Sequence, residues 1–268
     1  MPKRGKVALG IIIAIAIVSF IGPFIVAYTP DAINLDSIKT APSVAHPFGT
    51  DQKGRDILAR VLEGGRISLS VALIATIISM SAGLVVGLVS GYFGGRLDTA
   101  LMSLVDLVLS FPSLLLAIGI SIILPAGIFT SMTAIASVGW ASFARLIRGH
   151  VLSLRESAFV DSARVIGAGD FRILIVHILP QCMPLLLAMA GLKSGGFILT
   201  EASLSFLGLG AQPPMASWGS MISAGRAYIL SSPWMAIAPG IAIATTTLCL
   251  NVLGDAVSER YGLRENSR

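Results

Sequence analysis

Long apolar runs separated by short polar segments dominate the pattern of this 268-residue chain. Each run is long enough to cross a bilayer as an α-helix, which takes about 20 apolar residues. The longest run is divided in two by Pro125, Ala126 and Gly127, because proline and glycine interrupt helices. The pattern therefore predicts an all-α polytopic membrane protein with six transmembrane helices. The predicted spans cover 7–30, 67–95, 99–124, 128–144, 173–200 and 233–253.

Composition and charge agree with this class of protein. Hydrophobic residues make up 54% of the chain and charged residues 12%, with a mean hydropathy of +0.85. A soluble domain carries about 25% charged residues, and a disordered chain carries high charge with low hydrophobicity, so both classes are excluded. The net charge of +5 is typical of basic cytoplasmic loops, and no basic run with interleaved aromatic residues indicates a nucleic-acid partner. The six spans place twelve Lys and Arg residues on the N-terminal side and six opposite, which predicts that both termini are cytoplasmic.

The cytoplasmic loop over about 145–172 carries the most specific pattern in the chain. Phe159, Ala163 and Ile166 recur at helical spacing and predict one apolar stripe. Gly167 follows and predicts a left-handed turn that ends the helix. The loop is therefore expected to hold a short amphipathic helix.

The ends of this helix are predicted from polar residues. Ser153 and Glu156 fit a capping box that would begin it, and Asp170 would cap the helix that follows. The pattern alone leaves two interpretations open. The helix either rests on lipid headgroups or fits into a groove on a cytoplasmic partner.

A resemblance favours the second interpretation. The loop looks like the EAA loop of ABC-importer permeases, with matching spacing of Ala, Gly, Leu and Pro. It departs from that pattern at Asp161, Ser162 and His177, and the histidine is similar to the variant found in the peptide and nickel branch. The matching segments are Asp161–Ala163, Gly167 and His177–Pro180.

Further segments, in the same order along nearly the whole chain, resemble the C-type permease of dipeptide, oligopeptide and nickel importers. They are His46–Asp51, Gly54–Asp56, Gly65–Leu69, Gly91–Gly95, Phe111–Pro112, Glu201–Gly210, Gln212–Pro214, Trp218–Gly219 and Leu253–Ala256. The resemblance implies a type I importer-permease fold in a bacterial or archaeal plasma membrane. It divides the chain into a first span with its extracytoplasmic loop, 1–66, and a core permease domain, 67–268.

The resemblance also implies a heterodimer with a second related permease, two ATP-binding subunits and an extracytoplasmic solute-binding protein. The chain has no Gly-x-x-x-x-Gly-Lys-Ser/Thr phosphate loop, so a transport subunit without its own cofactor is expected, and ATP hydrolysis is expected on the separate subunits. The amphipathic helix is then the coupling helix. Its expected contact residues are Glu156, Phe159, Asp161, Ala163, Ile166 and Gly167.

Ionisable residues inside predicted spans are candidates for function. Lys193 either snorkels to the headgroups or lines the pathway and contacts a cargo carboxylate. Glu201, at the outer end of the fifth span, either faces the pathway or faces water. Asp98 and Asp106 are expected to be partners in hydrogen bonds between helices. No metal site is expected, since neither His177 nor the two cysteines have neighbours with ligand spacing.

Three functions remain open at this point. Peptide import is the leading hypothesis, nickel or metal-chelate import is the alternative, and an autonomous channel or secondary transporter belongs to a different class. Cargo choice is expected to depend largely on the binding protein. A stripe of small residues, Gly83, Gly87 and Gly91, predicts close helix packing, either within this chain or against the partner permease.

Overall fold

The computed structural model describes residues 1–262, and they are almost wholly helical. The first five helices in this part of the chain are α1 (Lys3–Ile21), α2 (Ile57–Phe93), α3 (Gly95–Ser110), α4 (Ser113–Ile123) and α5 (Ile128–Arg155). They are followed by α6 (Ala158–Val165), α7 (Asp170–Arg172), a π-helical turn (Ile173–Ile178), α8 (Leu179–Phe206), α9 (Trp218–Gly225) and α10 (Trp234–Arg260).

Within the described residues, four helical segments are long and apolar enough to cross a membrane. A fifth span results if the bent pair of α3 and α4 counts as one. The predicted total of six is therefore not reproduced by length and hydropathy. The four segments are Lys3–Phe24, Ile57–Phe93, Asp170–Phe206 and Trp234–Arg260.

The predicted third span, 99–124, is not one helix. Its two halves, α3 and α4, meet at an angle of 91° across Phe111 and Pro112. The backbone of Phe111 is extended, as expected for a residue that precedes proline. Pro112 has no N–H to continue the hydrogen bonds of α3. Local proline chemistry therefore breaks an otherwise continuous apolar run.

The predicted fourth span is longer and more polar than expected. It was predicted over 128–144, but α5 runs for 28 residues to Arg155. Arg145 and Arg148 lie on its last turns, so α5 is not among the apolar spans. The second span also starts earlier than predicted. The helix α2 begins ten residues before position 67, so the predicted domain boundary at 66/67 lies inside this helix.

The small-residue stripe packs inside this chain. An added Cβ at Gly87 would lie 2.7 Å from the Ala144 carbonyl oxygen of α5, and one at Gly91 would lie 2.8 Å from Val151 Cβ. Gly83 faces the same helix at Phe143. The pair of α2 and α5 is the most extensive helix contact among the described residues. The open choice between an internal seam and a partner seam is thus resolved in favour of the internal one.

The ends of α1 and α10 lie together at one end of the molecule. Arg4 of α1 forms an ion pair with Glu259 of α10. The other end of α1 packs on the beginning of α2, where Ser19 lies against Gly65. Because α1 therefore runs antiparallel to α2, its N-terminus and the end of α10 share a side with the C-terminal end of α2. Residues 263–268, which the orientation prediction also counted, lie outside the described residues.

Candidate functional site

The short helix α6 is present in the predicted loop, but its start differs from the prediction. The capping box at Ser153 and Glu156 is wrong, because α5 continues through Ser153 to Arg155. Ser157 is the N-cap of α6, and its hydroxyl donates to the Leu154 carbonyl instead of accepting from α6. The sharp turn between α5 and α6 is therefore held by the end of α5.

The apolar residues of α6 are divided between two faces. Ala163 is 3% exposed and Val160, which the stripe did not include, is fully buried in the main core of the chain. Phe159 and Ile166 lie on the exposed side, and Ile166 is 83% exposed. The prediction of one stripe is therefore wrong, since Ala163 holds α6 to its own chain.

Gly167 ends α6 as predicted. Its backbone has a positive φ, a left-handed conformation that an L side chain rarely adopts. The Gly167 N–H donates to the Arg164 carbonyl at 2.9 Å, and the Ala168 N–H donates to the Ala163 carbonyl at 3.0 Å. These two bonds form a Schellman motif, which satisfies the last carbonyls of the helix.

The exposed part of this segment presents a mixed apolar and acidic surface, which we call the docking surface because the sequence predicts contact with a partner there. The predicted stripe did not include Val165, because this residue does not follow the i, i+3, i+4 spacing of the stripe. Val165 is nevertheless 87% exposed. Glu156 and Asp161 are exposed, and their ion pairs within residues 1–262 are with residues nearby in the sequence, Arg155 at 3.0 Å and Arg164 at 3.1 Å. The docking surface consists of Glu156, Phe159, Asp161, Val165, Ile166 and Gly167.

Lys193 lines a cavity of about 450 Å³ between the α3–α4 bend, α5 and α8. Its Nζ donates to the Ser142 hydroxyl at 3.2 Å, and within residues 1–262 it makes no ion pair. The lining is otherwise uncharged, and its polar side chains are Ser113, Ser142 and Thr200. The volume lies within the range of about 300–1,000 Å³ that is usual for small-molecule sites. The structure therefore places Lys193 on the wall of a cavity of this chain.

Glu201 does not line this cavity, and it does not face water, which was one of the two positions that the sequence left open. It is 1% exposed, and one of its carboxylate oxygens accepts from Ser205 at 2.7 Å. The other oxygen is buried without a hydrogen-bond partner among the described residues. The reason for the difference is α9, which folds back so that Gly219 packs against Ala202, the residue after Glu201.

Two acidic residues predicted to join helices do so. The Asp98 carboxylate of α3 accepts two hydrogen bonds from Arg148 of α5, at 2.6 and 2.7 Å. Asp106 pairs with Arg145 of the same helix. These pairs join α3 to the arginine-rich part of α5. Among residues 1–262, no group of three or more His, Cys, Asp or Glu side chains is placed to hold a metal ion.

Comparison with known proteins decides which kind of helical membrane protein carries these features. Residues 83–262 match the family of binding-protein-dependent transport system inner membrane components. The chain belongs to this family. It is therefore a permease subunit of an ABC importer, a system that combines permease, ATPase and solute-binding components, and the separate ATPase subunits hydrolyse ATP.

Several curated relatives resemble this permease over nearly its whole length. It is 38% identical to the glutathione transport system permease protein GsiD of Pectobacterium atrosepticum, covering 97% of this chain and 87% of that one. It is also 38% identical to the oligopeptide permease OppC of Haemophilus influenzae, covering 96% and 84%. The dipeptide permease DppC of Alkalihalophilus pseudofirmus is 38% identical, with the same two coverages of 96% and 84%.

The fold of this permease is similar to that of a solved importer. An inward-facing structure of the MetNI methionine ABC transporter matches with a TM-score of 0.62. The match covers 75% of this chain and 95% of that chain at 15% identity, so it carries the fold alone. The all-α importer-permease fold expected from the resemblance is confirmed.

Proposed function

We propose that this chain forms half of the membrane pathway of an ATP-driven importer of di- and oligopeptides. The observation that carries the proposal is α6, which is anchored to its own core by Val160 and Ala163 while it exposes Val165 and Ile166. An exposed apolar stretch of this kind fits helix-in-groove binding. The relatives named above transport glutathione, oligopeptides and dipeptides, and peptide cargo is common to all three names.

We infer a four-part arrangement around the permease. A second related permease completes a heterodimer, and two ATP-binding subunits lie below, one of them on the docking surface. A solute-binding protein delivers cargo at the opposite side. The end that carries α6, the start of α1 and the end of α10 is then cytoplasmic. Ten of the twelve Lys and Arg residues that the sequence assigns to this side lie within residues 1–262, and they support that orientation.

Lys193 is the proposed cargo contact in this half of the pathway. The peptide class always offers a C-terminal carboxylate unless it is blocked, and Lys193 is the cation of an otherwise uncharged cavity lining. A bare divalent cation would meet repulsion there, which favours peptides over nickel ions. Glu201 has no place in this contact, because it is buried outside the cavity.

The assembled importer, reconstituted in proteoliposomes with its binding protein, tests this function. We expect ATP-dependent uptake of a free tripeptide, and we expect Lys193→Met to lower that uptake about tenfold, since about 1.4 kcal/mol of lost attraction is a factor of ten. Uptake of the C-terminally amidated tripeptide should change much less. Lys193→Arg, which keeps the positive charge, is the matched control. Equal losses for both peptides in Lys193→Met would contradict the carboxylate contact, and no ATP-dependent uptake by the unaltered importer would contradict the proposed function.

A further inference from the structure

Tyr92, the penultimate residue of α2, contacts both chain segments that flank α6. Its hydroxyl donates to Asp170 Oδ1 at 2.7 Å, at the point where the chain leaves α6 for the next span. Its backbone carbonyl accepts from Arg155 Nη1 at 3.2 Å, at the point where the chain enters α6. Tyr92 is only 6% exposed, whereas Asp170 is exposed, so the hydrogen bond between them lies at the edge of the protein's core. The predicted capping role of Asp170 is replaced by this bond.

The helix α6 itself makes a third contact with Tyr92. The guanidinium of Arg164 lies over the Tyr92 ring, at the outer limit of a cation–π contact. Arg164 also holds Asp161 of the docking surface at 3.1 Å. The entry of the α6 segment therefore contacts the backbone of Tyr92, while its body and its exit contact the Tyr92 side chain.

Tyr92 stands at the end of a long, tightly packed helix. The neighbouring Gly91 lies against Val151 of α5, as part of the small-residue seam. The whole of α2 is 37 residues long, which is more than enough to cross a bilayer, so its other end lies far from Tyr92. At that end Trp218 of α9 donates from its ring N–H to the Val61 carbonyl of α2 at 2.9 Å. One continuous helix therefore joins Tyr92 to the opposite end of α2, and it can carry a displacement from one end to the other.

We propose that Tyr92 is a positioning residue that transmits movement of α6 to α2, through its hydrogen bond to Asp170. This inference rests on the proposed function, because it assumes that an ATP-binding subunit moves α6. The buried contacts of Val160 and Ala163 keep α6 attached when the hydrogen bond is absent. Loss of the bond therefore loosens the transmission without detaching the docking surface.

The assembled importer tests this role by its coupling ratio, the peptide taken up per ATP hydrolysed. Tyr92→Phe removes the hydroxyl and keeps the ring, and we expect the ratio to fall at least threefold while ATPase binding and basal ATP hydrolysis stay unchanged. Asp170→Ala should lower it equally, and the double variant should show no further loss. Asp170→Asn keeps an oxygen acceptor for Tyr92 and should retain most of the ratio.

A second readout needs no cargo. A fluorophore on Lys53→Cys, an exposed position before α2, reports ATP-induced movement at the extracytoplasmic end; Cys182 and Cys249 are buried. We expect the ATP-dependent signal to fall at least threefold in Tyr92→Phe and Asp170→Ala. Unchanged signals in both variants, or equal behaviour of Asp170→Ala and Asp170→Asn, would overturn the role of Tyr92. If the unaltered importer takes up no peptide, while the fluorophore still responds to ATP and the response falls in both variants, only the proposed function is overturned.

Discussion

Replacing Ile166 with aspartate is expected to remove the ATP-binding subunits from the purified importer. Ile166 is 83% exposed and stands beside Val165 at 87%, so the change has little to disturb within its own chain. In a complex, burial of an isoleucine side chain is worth about 1.5–3 kcal/mol, and a charge placed in an apolar groove adds a desolvation cost. We therefore expect the affinity for the ATP-binding subunits to fall at least about 100-fold, at about 1.4 kcal/mol per factor of ten.

The matched control carries the same substitution at the opposite side of the molecule. Ile33 is 60% exposed in the loop between α1 and α2, and Ile33→Asp should leave binding of the ATP-binding subunits unchanged. Co-purification and titration of ATP-binding subunits onto solubilised permease measure the effect. An unchanged melting temperature in Ile166→Asp shows that the fold persists. Wild-type affinity in that variant would contradict the proposed docking surface.

Ala163→Glu is a poorer test of the same surface. The sequence pattern placed Ala163 with Phe159 and Ile166, but its side chain is packed inside the chain. A glutamate there would displace α6 from its own core. Loss of the ATP-binding subunits would then follow from misfolding as readily as from a damaged contact.

Replacing Gly87 with leucine is expected to prevent stable folding. The added Cβ would lie 2.7 Å from the Ala144 carbonyl oxygen and 2.7 Å from Ile147 Cβ, so α2 and α5 must separate. Overpacking of a dense core typically costs about 1–3 kcal/mol, and here a backbone atom blocks the way, so the cost should exceed about 3 kcal/mol. The yield of monodisperse solubilised protein and its thermal midpoint measure the loss.

Gly10→Leu is the control for this prediction. Gly10 lies inside the apolar helix α1, and an added Cβ there has no heavy atom within 4 Å. The substitution should keep the yield and thermal midpoint close to those of the unaltered chain. If Gly87→Leu and Gly10→Leu behave alike, the α2–α5 seam does not hold this fold together.

Most of the transmembrane architecture could be predicted because apolar run length is a local property. The spans around α1, α8 and α10 follow directly from it. The bend of 91° at Phe111 and Pro112 was not predicted, because the hydropathy of the surrounding run indicates one crossing. The length of α5 was missed, because the arginines that end its apolar stretch do not end its helix.

The candidate site could be predicted only where a local rule governs it. Gly167 was found because a left-handed turn has a residue preference that is readable in the sequence. The division of α6 into a buried face with Val160 and an exposed face with Val165 was not readable, since it depends on which helices lie beside α6. Glu201 was misplaced for the same reason, because α9 covers the end of α8 from far along the chain.

Cross-linking from α6 shows whether an ATP-binding subunit lies on the docking surface. Val165→Cys, labelled with a photo-activated benzophenone in the assembled importer, places the reactive group on the docking surface, while the two native cysteines are buried. We expect a covalent product with an ATP-binding subunit, and none from Ile33→Cys labelled in the same way. A product with the binding protein, or with lipid alone, would contradict the coupling role of α6.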